Sequence, residues 1–243
     1  MLAQGHPSGL SVTVMDGDVV SPANCVRQPF SCGEVGLNKG IVLISRINLF
    51  WGFKWKAIPH PLTAETLSVP SSSFCEAALR PDIVVGCVDT CAARAIIAAC
   101  TAGRSGAGYW LDVGNSASSG QFVMGEPLNA RNKRSRTRLR TIAELYSEVV
   151  DPALDDDNEP SCSAVEALER QECFVNTVLA QHTLALLARL FRNGQISHHG
   201  GFVDIAHSRA VPLAVDPQLW RRLRKRSSLP RSATKTRAAV AGL

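Results

Sequence analysis

Residues 15–39 read MDGDVVSPANCVRQPFSCGEVGLNK, and this stretch decides the fold that we predict for the chain. Apolar and polar residues alternate over residues 10–14, which predicts a β-strand directly before it. That strand carries Asp16 to its carboxyl end, where open α/β sheets bind ligands and an acid can accept hydrogen bonds from a ribose. Arg27 and Lys39 can pair with phosphate oxygens. Together they indicate a nucleotide site, although an Asp-Gly pair after a strand is also typical of a simple turn.

Two motifs in a fixed order resemble those of a known superfamily. Residues 16–39 contain an acid-x-acid pair, an Asn, an Arg-Gln pair and a Gly-x-x-Lys in that order. Residues 81–90 read PDIVVGCVDT and are followed by Arg94. Both motifs resemble the ThiF/MoeB/ubiquitin-activating enzyme superfamily and, within it, the PRTRC system ThiF family, over residues 8–217. The resemblance implies an α/β fold with a Rossmann-like sheet of the ThiF/MoeB type and flanking helices.

The family pattern normally opens with a strand, a Gly-rich turn and a helix. No G-x-G-x-x-G occurs anywhere in this sequence. We therefore expect the fold to lack its first strand, Gly-rich turn and first helix, through either a truncated start or a degenerate gene product. Such a turn brings backbone N–H groups and a helix N-terminus to the phosphates of a nucleotide. Its loss would remove much of the phosphate cradle and would leave the neighbours of the first strand unpaired.

The resemblance also implies an activity and assigns residues to it. It implies ATP-dependent adenylyl transfer to the C-terminal carboxylate of a small ubiquitin-like protein of the β-grasp fold, with Mg²⁺. The predicted catalytic residues are Arg27, Lys39 and Asp89. The predicted ATP-binding residues are Asp16, Asp18, Asn24, Arg27, Gln28, Lys39 and Asp89. Asp89 is also the predicted Mg²⁺ ligand.

Asp89 has a second interpretation. It follows an apolar run over 83–88, which suits a parallel strand covered on both faces, and it precedes a predicted helix over 92–101. An acid at this position can cap the helix, which stabilises it by about 1 kcal/mol. It can also hold Mg²⁺, which one or two carboxylates and substrate phosphates usually bind. The residues alone favour the cap, and the resemblance favours the metal.

The eight cysteines are spaced irregularly and do not indicate a disulfide framework. Related activating enzymes use a cysteine to receive the acyl group, and Cys162 lies at the start of a helix predicted after Pro160. A thiolate at a helix N-terminus has a lowered pKa, so Cys162 is a candidate thioester nucleophile. A structural cysteine is the alternative. No C-x-x-C pair occurs, so we expect no zinc.

Composition divides the chain into four predicted segments. The charged linker carries six cations over 131–140 and six acids over 148–159, and the tail has eight Lys or Arg and no acid. The tail is expected to be disordered or a short basic helix, and could bind nucleic-acid phosphates non-specifically. The segments are a nucleotide-binding core (1–129), the charged linker (130–160), a helix and hairpin that complete the domain (161–216) and the basic tail (217–243).

Several further expectations concern partners and location. There is no apolar run long enough to span a membrane and no secretory signal, which predicts a cytoplasmic protein with no membrane contact. The resemblance implies a homodimer. Two other functional classes remain open: a catalytically inactive scaffold of a mobile-element cassette, and a dinucleotide-dependent oxidoreductase. The missing G-x-G-x-x-G counts against the oxidoreductase.

Overall fold

The computed structural model describes residues 9–63, 81–103, 106–135, 137–155, 172 and 174–227. Helices and strands alternate along the first half of this part, and antiparallel strands dominate the second half. The strands are β1 (Thr13–Met15), β2 (Lys56–Ile58), β3 (Ile83–Gly86), β4 (Tyr109–Asn115), β5 (Ser119–Gly125), β6 (His198–Asp204) and β7 (Arg209–Ala214). The helices are α1 (Asn24–Arg27), α2 (Lys39–Trp51), α3 (Cys91–Ala102), α4 (Ile142–Leu145), α5 (Val175–Asn193) and α6 (Pro217–Ser227).

The strands form two sheets. β1 and β2 are parallel neighbours in a two-stranded sheet, and the larger sheet has the order β3-β4-β5-β6-β7. In the larger sheet β3 and β4 are parallel, and the other neighbours are antiparallel. This mixed sheet with flanking helices confirms the predicted α/β fold class. Parallel pairs need a long crossover connection, and α2 and α3 provide the helical part of each.

The strands that carry the two sequence motifs are shorter than predicted. β1 begins at Thr13, since only three of its residues pair with β2. β3 ends at Gly86, three residues before Asp89, and Val85 is half exposed instead of covered. Among the described residues, β1 pairs with β2 alone and β3 with β4 alone. One edge of each strand therefore lacks a neighbour among the described residues.

Hydrophobic residues cover both faces of the larger sheet because side chains alternate along each strand. On one face Trp110 and Val123 pack with helices α3, α4 and α6. On the other face Leu111 and Met124 pack against α5. The segment between β1 and α2 packs on α2 through a separate cluster of Val20, Phe30 and Val42. These contacts fix the ends of β3 and β4 relative to α3.

The described part of the predicted charged linker packs against the larger sheet. Leu139, Ile142 and Leu145 are buried in its core, with exposed fractions of 8%, 2% and 0%. Arg138 and Glu144 form a two-bonded ion pair with N–O distances of 2.8 and 2.6 Å. Arg138, one of the six cations, is thus paired with an acid that lies between the two charged runs. The domain boundaries themselves remain a prediction.

The end of α5 and the hairpin that follows it agree with the sequence pattern, but α5 begins at Val175 rather than soon after Pro160. α5 ends at Gly194, whose φ of 66° places it in the left-handed conformation that glycine favours at helix ends. β6 and β7 form the predicted hairpin. The first part of the basic tail is helix α6, and it is anchored because Trp220 is buried and donates to His199 Nε2 at 2.9 Å. No helix in the described ranges has both the length and the apolar character to cross a membrane.

Candidate functional site

The first predicted motif forms one connected cluster between β1 and α2. The backbone N–H of Asp18 donates to Asp16 Oδ1 at 2.9 Å, which closes a tight turn after β1. Asn38 Nδ2 donates to the carbonyl oxygens of Asp16 and Asp18 at 2.7 and 3.0 Å. Asn38 Oδ1 caps α2 by accepting from the backbone N–H of Ile41. One asparagine therefore joins the strand end to the helix start.

Lys39 and Asp18 are ion-paired in this cluster. Lys39 Nζ lies 2.8 Å from Asp18 Oδ2, and the two side chains are 17% and 73% exposed. Lys39 is the first residue of α2, so its charge and the helix N-terminus face the same edge of the small sheet. A helix N-terminus is favourable for anions.

The other residues of this motif lie on or next to α1. Asn24 is buried, and its side-chain oxygen accepts from the backbone N–H and hydroxyl of Ser21 at 2.9 and 3.0 Å. Gln28 is half-buried and ends α1, where its backbone N–H donates to the Asn24 carbonyl. Arg27 is the last residue of α1, and its side chain lies outside the described part of the chain. The Asn24 side chain thus holds the loop at Ser21 through its amide oxygen.

Asp89 lies in the turn between β3 and α3. The capping interpretation is wrong, because Thr90 occupies the cap position and its hydroxyl accepts from the Ala93 N–H at 3.2 Å. The Asp89 side chain is exposed, and no described residue makes a hydrogen bond to its carboxylate. One carboxylate together with phosphates is a usual Mg²⁺ environment, so Asp89 fits that ion. No cluster of three or more His, Cys, Asp or Glu suited to a metal occurs within the described ranges.

A buried ion pair stands behind the Asp89 turn. Arg94 Nε donates to Asp112 Oδ1 at 3.2 Å, and Asp112 is fully buried on β4. Burial raises the pKa of Asp112 to about 6, against the opposing effect of the Arg94 charge. Arg94 also donates to the carbonyl oxygen of Val88 at 2.6 Å and, more weakly, to that of Asp89 at 3.4 Å. These contacts link β4 to the turn.

A second carboxylate closes the N-terminus of α3. Asp155 accepts from the backbone N–H groups of Cys91 and Ala92 at 2.5 and 2.9 Å. The Ala92 and Cys91 N–H groups lower the pKa of Asp155. The end of the described 137–155 segment is thereby fastened beside Asp89.

The structure brings some predicted site residues together and leaves others apart. Asp16, Asp18 and Lys39 share one cluster, and no hydrogen bond or ion pair among the described residues joins it to Asp89. Cys162 lies outside the described residues. Asn38, Asp112 and Asp155 also contribute contacts here, although no role was predicted for them. An Asn before a helical pattern is a cap signal, and an acid within an apolar strand indicates a buried polar contact; nothing local marks Asp155.

Comparison with known families decides the family. The ThiF family model matches residues 9–210, most of the chain. The chain belongs to the ThiF family. Both clusters of this ThiF-family protein fall inside the matched region. No curated protein matches the chain significantly.

Solved structures with a similar fold include PaaA and E. coli MccB. PaaA has a TM-score of 0.54 and 12% identity, over 84% of this chain and 56% of its own. MccB has a TM-score of 0.53 and 16% identity, over 86% of this chain and 56% of its own. A structure of MccB with ATP gives a TM-score of 0.54. The ThiF-family chain thus spans a little over half the length of these proteins, and the likeness shows a shared fold.

Proposed function

We propose that this ThiF-family protein binds ATP with Mg²⁺ and adenylates the C-terminal carboxylate of a small ubiquitin-like protein of the β-grasp fold. The observation that carries the proposal is the cluster of Asp16, Asp18, Asn38 and Lys39 at the carboxyl end of β1. The similar protein MccB has been solved with ATP and with MccA, which supports a nucleotide and a small partner.

In the proposed reaction a carboxylate oxygen of the partner attacks the α-phosphorus of ATP. A new P–O bond forms, the bond between the α-phosphorus and its bridging oxygen breaks, and pyrophosphate leaves with that electron pair. Asp16 would accept from the ribose, while Lys39 and Arg27 would offset the phosphate charge. Asn24 and Gln28 would contact the phosphates, and Asp89 would hold Mg²⁺, which supplies charge neutralisation when bound. Catalysis would consist of positioning and charge stabilisation.

The test is ATP–pyrophosphate exchange with a candidate ubiquitin-like protein, comparing two carboxylates at opposite ends of β3. Asp89→Ala should reduce exchange by about 100-fold or more, since it removes a group that stabilises charge in the transition state. Asp82→Ala is the matched control, because Asp82 directly precedes β3 and is 85% exposed in its pair with Arg131. Equal loss in both variants, or exchange that survives Asp89→Ala, would contradict the assignment.

A catalytically inactive, partner-binding scaffold is the second candidate function. The observation in its favour is that Asp18 pairs with Lys39 and Asn24 bonds to Ser21, so these groups already have protein partners. We place this scaffold in a PRTRC-type mobile-element cassette of bacteria, following the motif resemblance. Partner binding without exchange, by a protein that also fails to bind ATP, would select this function over the enzyme.

We also propose that the protein works in the cytoplasm as a homodimer. The end of α2 supports self-association, since Leu49, Phe50 and Trp51 are 88%, 78% and 60% exposed. Exposed apolar patches of this kind usually mark interaction sites. Arg221 and Arg222 are exposed on α6 and could contact nucleic-acid phosphates without reading sequence. Such contact would weaken steeply as salt is raised.

A further inference from the structure

Burying the Arg94–Asp112 ion pair costs the folded state desolvation free energy. Asp112 is 0% exposed and the Arg94 side chain 9% exposed, so both charges have lost most of their hydration. Desolvation of a buried ion pair often cancels its Coulombic gain. Asp112 Oδ2 has no hydrogen-bond partner among the described residues, which adds to the cost. Stability alone therefore gives a weak reason for this pair.

Arg94 is also placed against the helix dipole. It lies in the first turn of α3, where a cation is unfavourable because the helix N-terminus is itself partly positive. Its guanidinium reaches back past this end and donates to the carbonyl oxygens of Val88 and Asp89. A planar fork can hold the carboxylate and a carbonyl at once, which a lysine cannot do with the same geometry.

The neighbouring glycine makes room for this arrangement. Gly114 lies two residues after Asp112 on the same face of β4, and a Cβ there would come within 2.7 Å of Arg94 Nη2. A side chain at this position would have to displace the ends of both Arg94 and Gln121, whose Nε2 would lie 2.5 Å from the added Cβ. Asp112 and Arg94, with Gly114 beside them, form a chain of contacts that ends on the backbone of the Asp89 turn.

We propose that Asp112, acting through Arg94, positions the Asp89 turn so that the Asp89 carboxylate can hold Mg²⁺. The inference rests on the proposed function, because it takes Asp89 as the metal ligand. Asp112 and Arg94 are positioning residues that touch neither nucleotide nor metal. Groups behind a metal ligand typically change metal affinity by 10–100-fold when they are removed.

The test measures binding of Mn²⁺, a paramagnetic substitute for Mg²⁺, to the full chain in the presence of the ATP analogue AMPCPP. Asp112→Asn and Arg94→Lys should each raise the Mn²⁺ dissociation constant by about 10–100-fold. AMPCPP binding without metal should remain unchanged in both. The control is Arg131→Lys, which alters an exposed Arg–Asp pair at the other end of β3 and should leave Mn²⁺ affinity unchanged.

A variant that removes both charges and still folds distinguishes an effect on Mn²⁺ affinity from an effect on stability. Replacing both partners by apolar residues, Arg94→Met with Asp112→Leu, removes two buried charges and is often neutral for folding. This double variant should unfold at a temperature similar to that of the wild type and still bind Mn²⁺ more weakly. Unchanged Mn²⁺ affinity in the folded double variant and in Arg94→Lys would overturn the positioning role.

The outcomes also distinguish this inference from the proposed function. If Asp89→Ala abolishes Mn²⁺ binding and Asp112→Asn does not weaken it, the metal assignment stands and the positioning role falls. If the wild type binds no Mn²⁺, or Asp89→Ala binds it normally, Asp89 is not the ligand. The proposed metal role and the positioning inference are then both overturned.

Discussion

Glu144→Gln should destabilise the protein by an amount that depends on pH. Burial raises the pKa of the Glu144 carboxyl, but hydrogen bonds from Arg138, the Thr141 backbone and Arg140 outweigh it. The resulting pKa is about 2, against an ordinary value of 4.5. At about 1.4 kcal/mol per pKa unit, this shift corresponds to about 3 kcal/mol of unfolding free energy near neutral pH.

The direction of the pH dependence follows from the lowered pKa. Because the folded state holds Glu144 ionised, its contribution is complete above about pH 4.5 and is lost as the pH falls through about 2. Glutamine has no such titration. The difference in unfolding free energy between wild type and Glu144→Gln should therefore be about 3 kcal/mol at neutral pH and about half of that at about pH 3.

Urea unfolding followed by circular dichroism, at several pH values from neutral to about 3, measures this difference. Glu148→Gln is a suitable control, because Glu148 is an exposed acid of the same segment and should change stability by less than about 0.5 kcal/mol. A difference for Glu144→Gln that stays constant with pH, or that matches the Glu148→Gln control, would refute the reasoning.

Four further outcomes are expected. The raised pKa of Asp112 means that the folded state binds its proton more tightly, so wild-type stability should gain on the order of 3 kcal/mol from this group as the pH falls from about 7 to about 4; Asp112→Asn should remove that gain in urea unfolding. Lys39→Met should cost less than about 1 kcal/mol, since its partner Asp18 is exposed, yet should weaken ATP binding in equilibrium dialysis. Trp220→Ala should cost about 3–5 kcal/mol in thermal unfolding because it empties a buried site. Leu49→Arg should shift a dimer toward monomer in sedimentation experiments, and a monomeric wild type would remove the basis for this prediction.

Much of the local structure could be predicted from the sequence. The alternating run over 10–14 and the continuous run over 83–88 predicted strands close to β1 and β3, and the helix predicted over 92–101 lies within α3. The ends of β1 and β3 were less well predicted, because hydrogen bonding to a neighbour decides where a strand stops. The described part of the linker differed most from its prediction, because it packs against the sheet. A charge count cannot show that Arg138 and Glu144 form an ion pair there.

The candidate site was also predicted from the sequence only in part. The sequence identified Asp16, Asp18 and Lys39 as one motif, and the fold places them in one cluster. It identified Asp89 at a strand–helix junction, although Thr90 was needed to decide which residue caps α3.

The sequence by itself determined the family motifs, the order of the elements and the residue types that suit a nucleotide. These features depend on neighbours along the chain, which the sequence records directly. Only the tertiary structure decided that Asp155 closes the N-terminus of α3 and that Asp112 supports Arg94. Asp155 lies 64 positions from Cys91, and Asp112 lies 18 from Arg94. Partners so far apart are chosen by the packing of sheet and helices, because burial makes an unpaired charge too costly to leave alone.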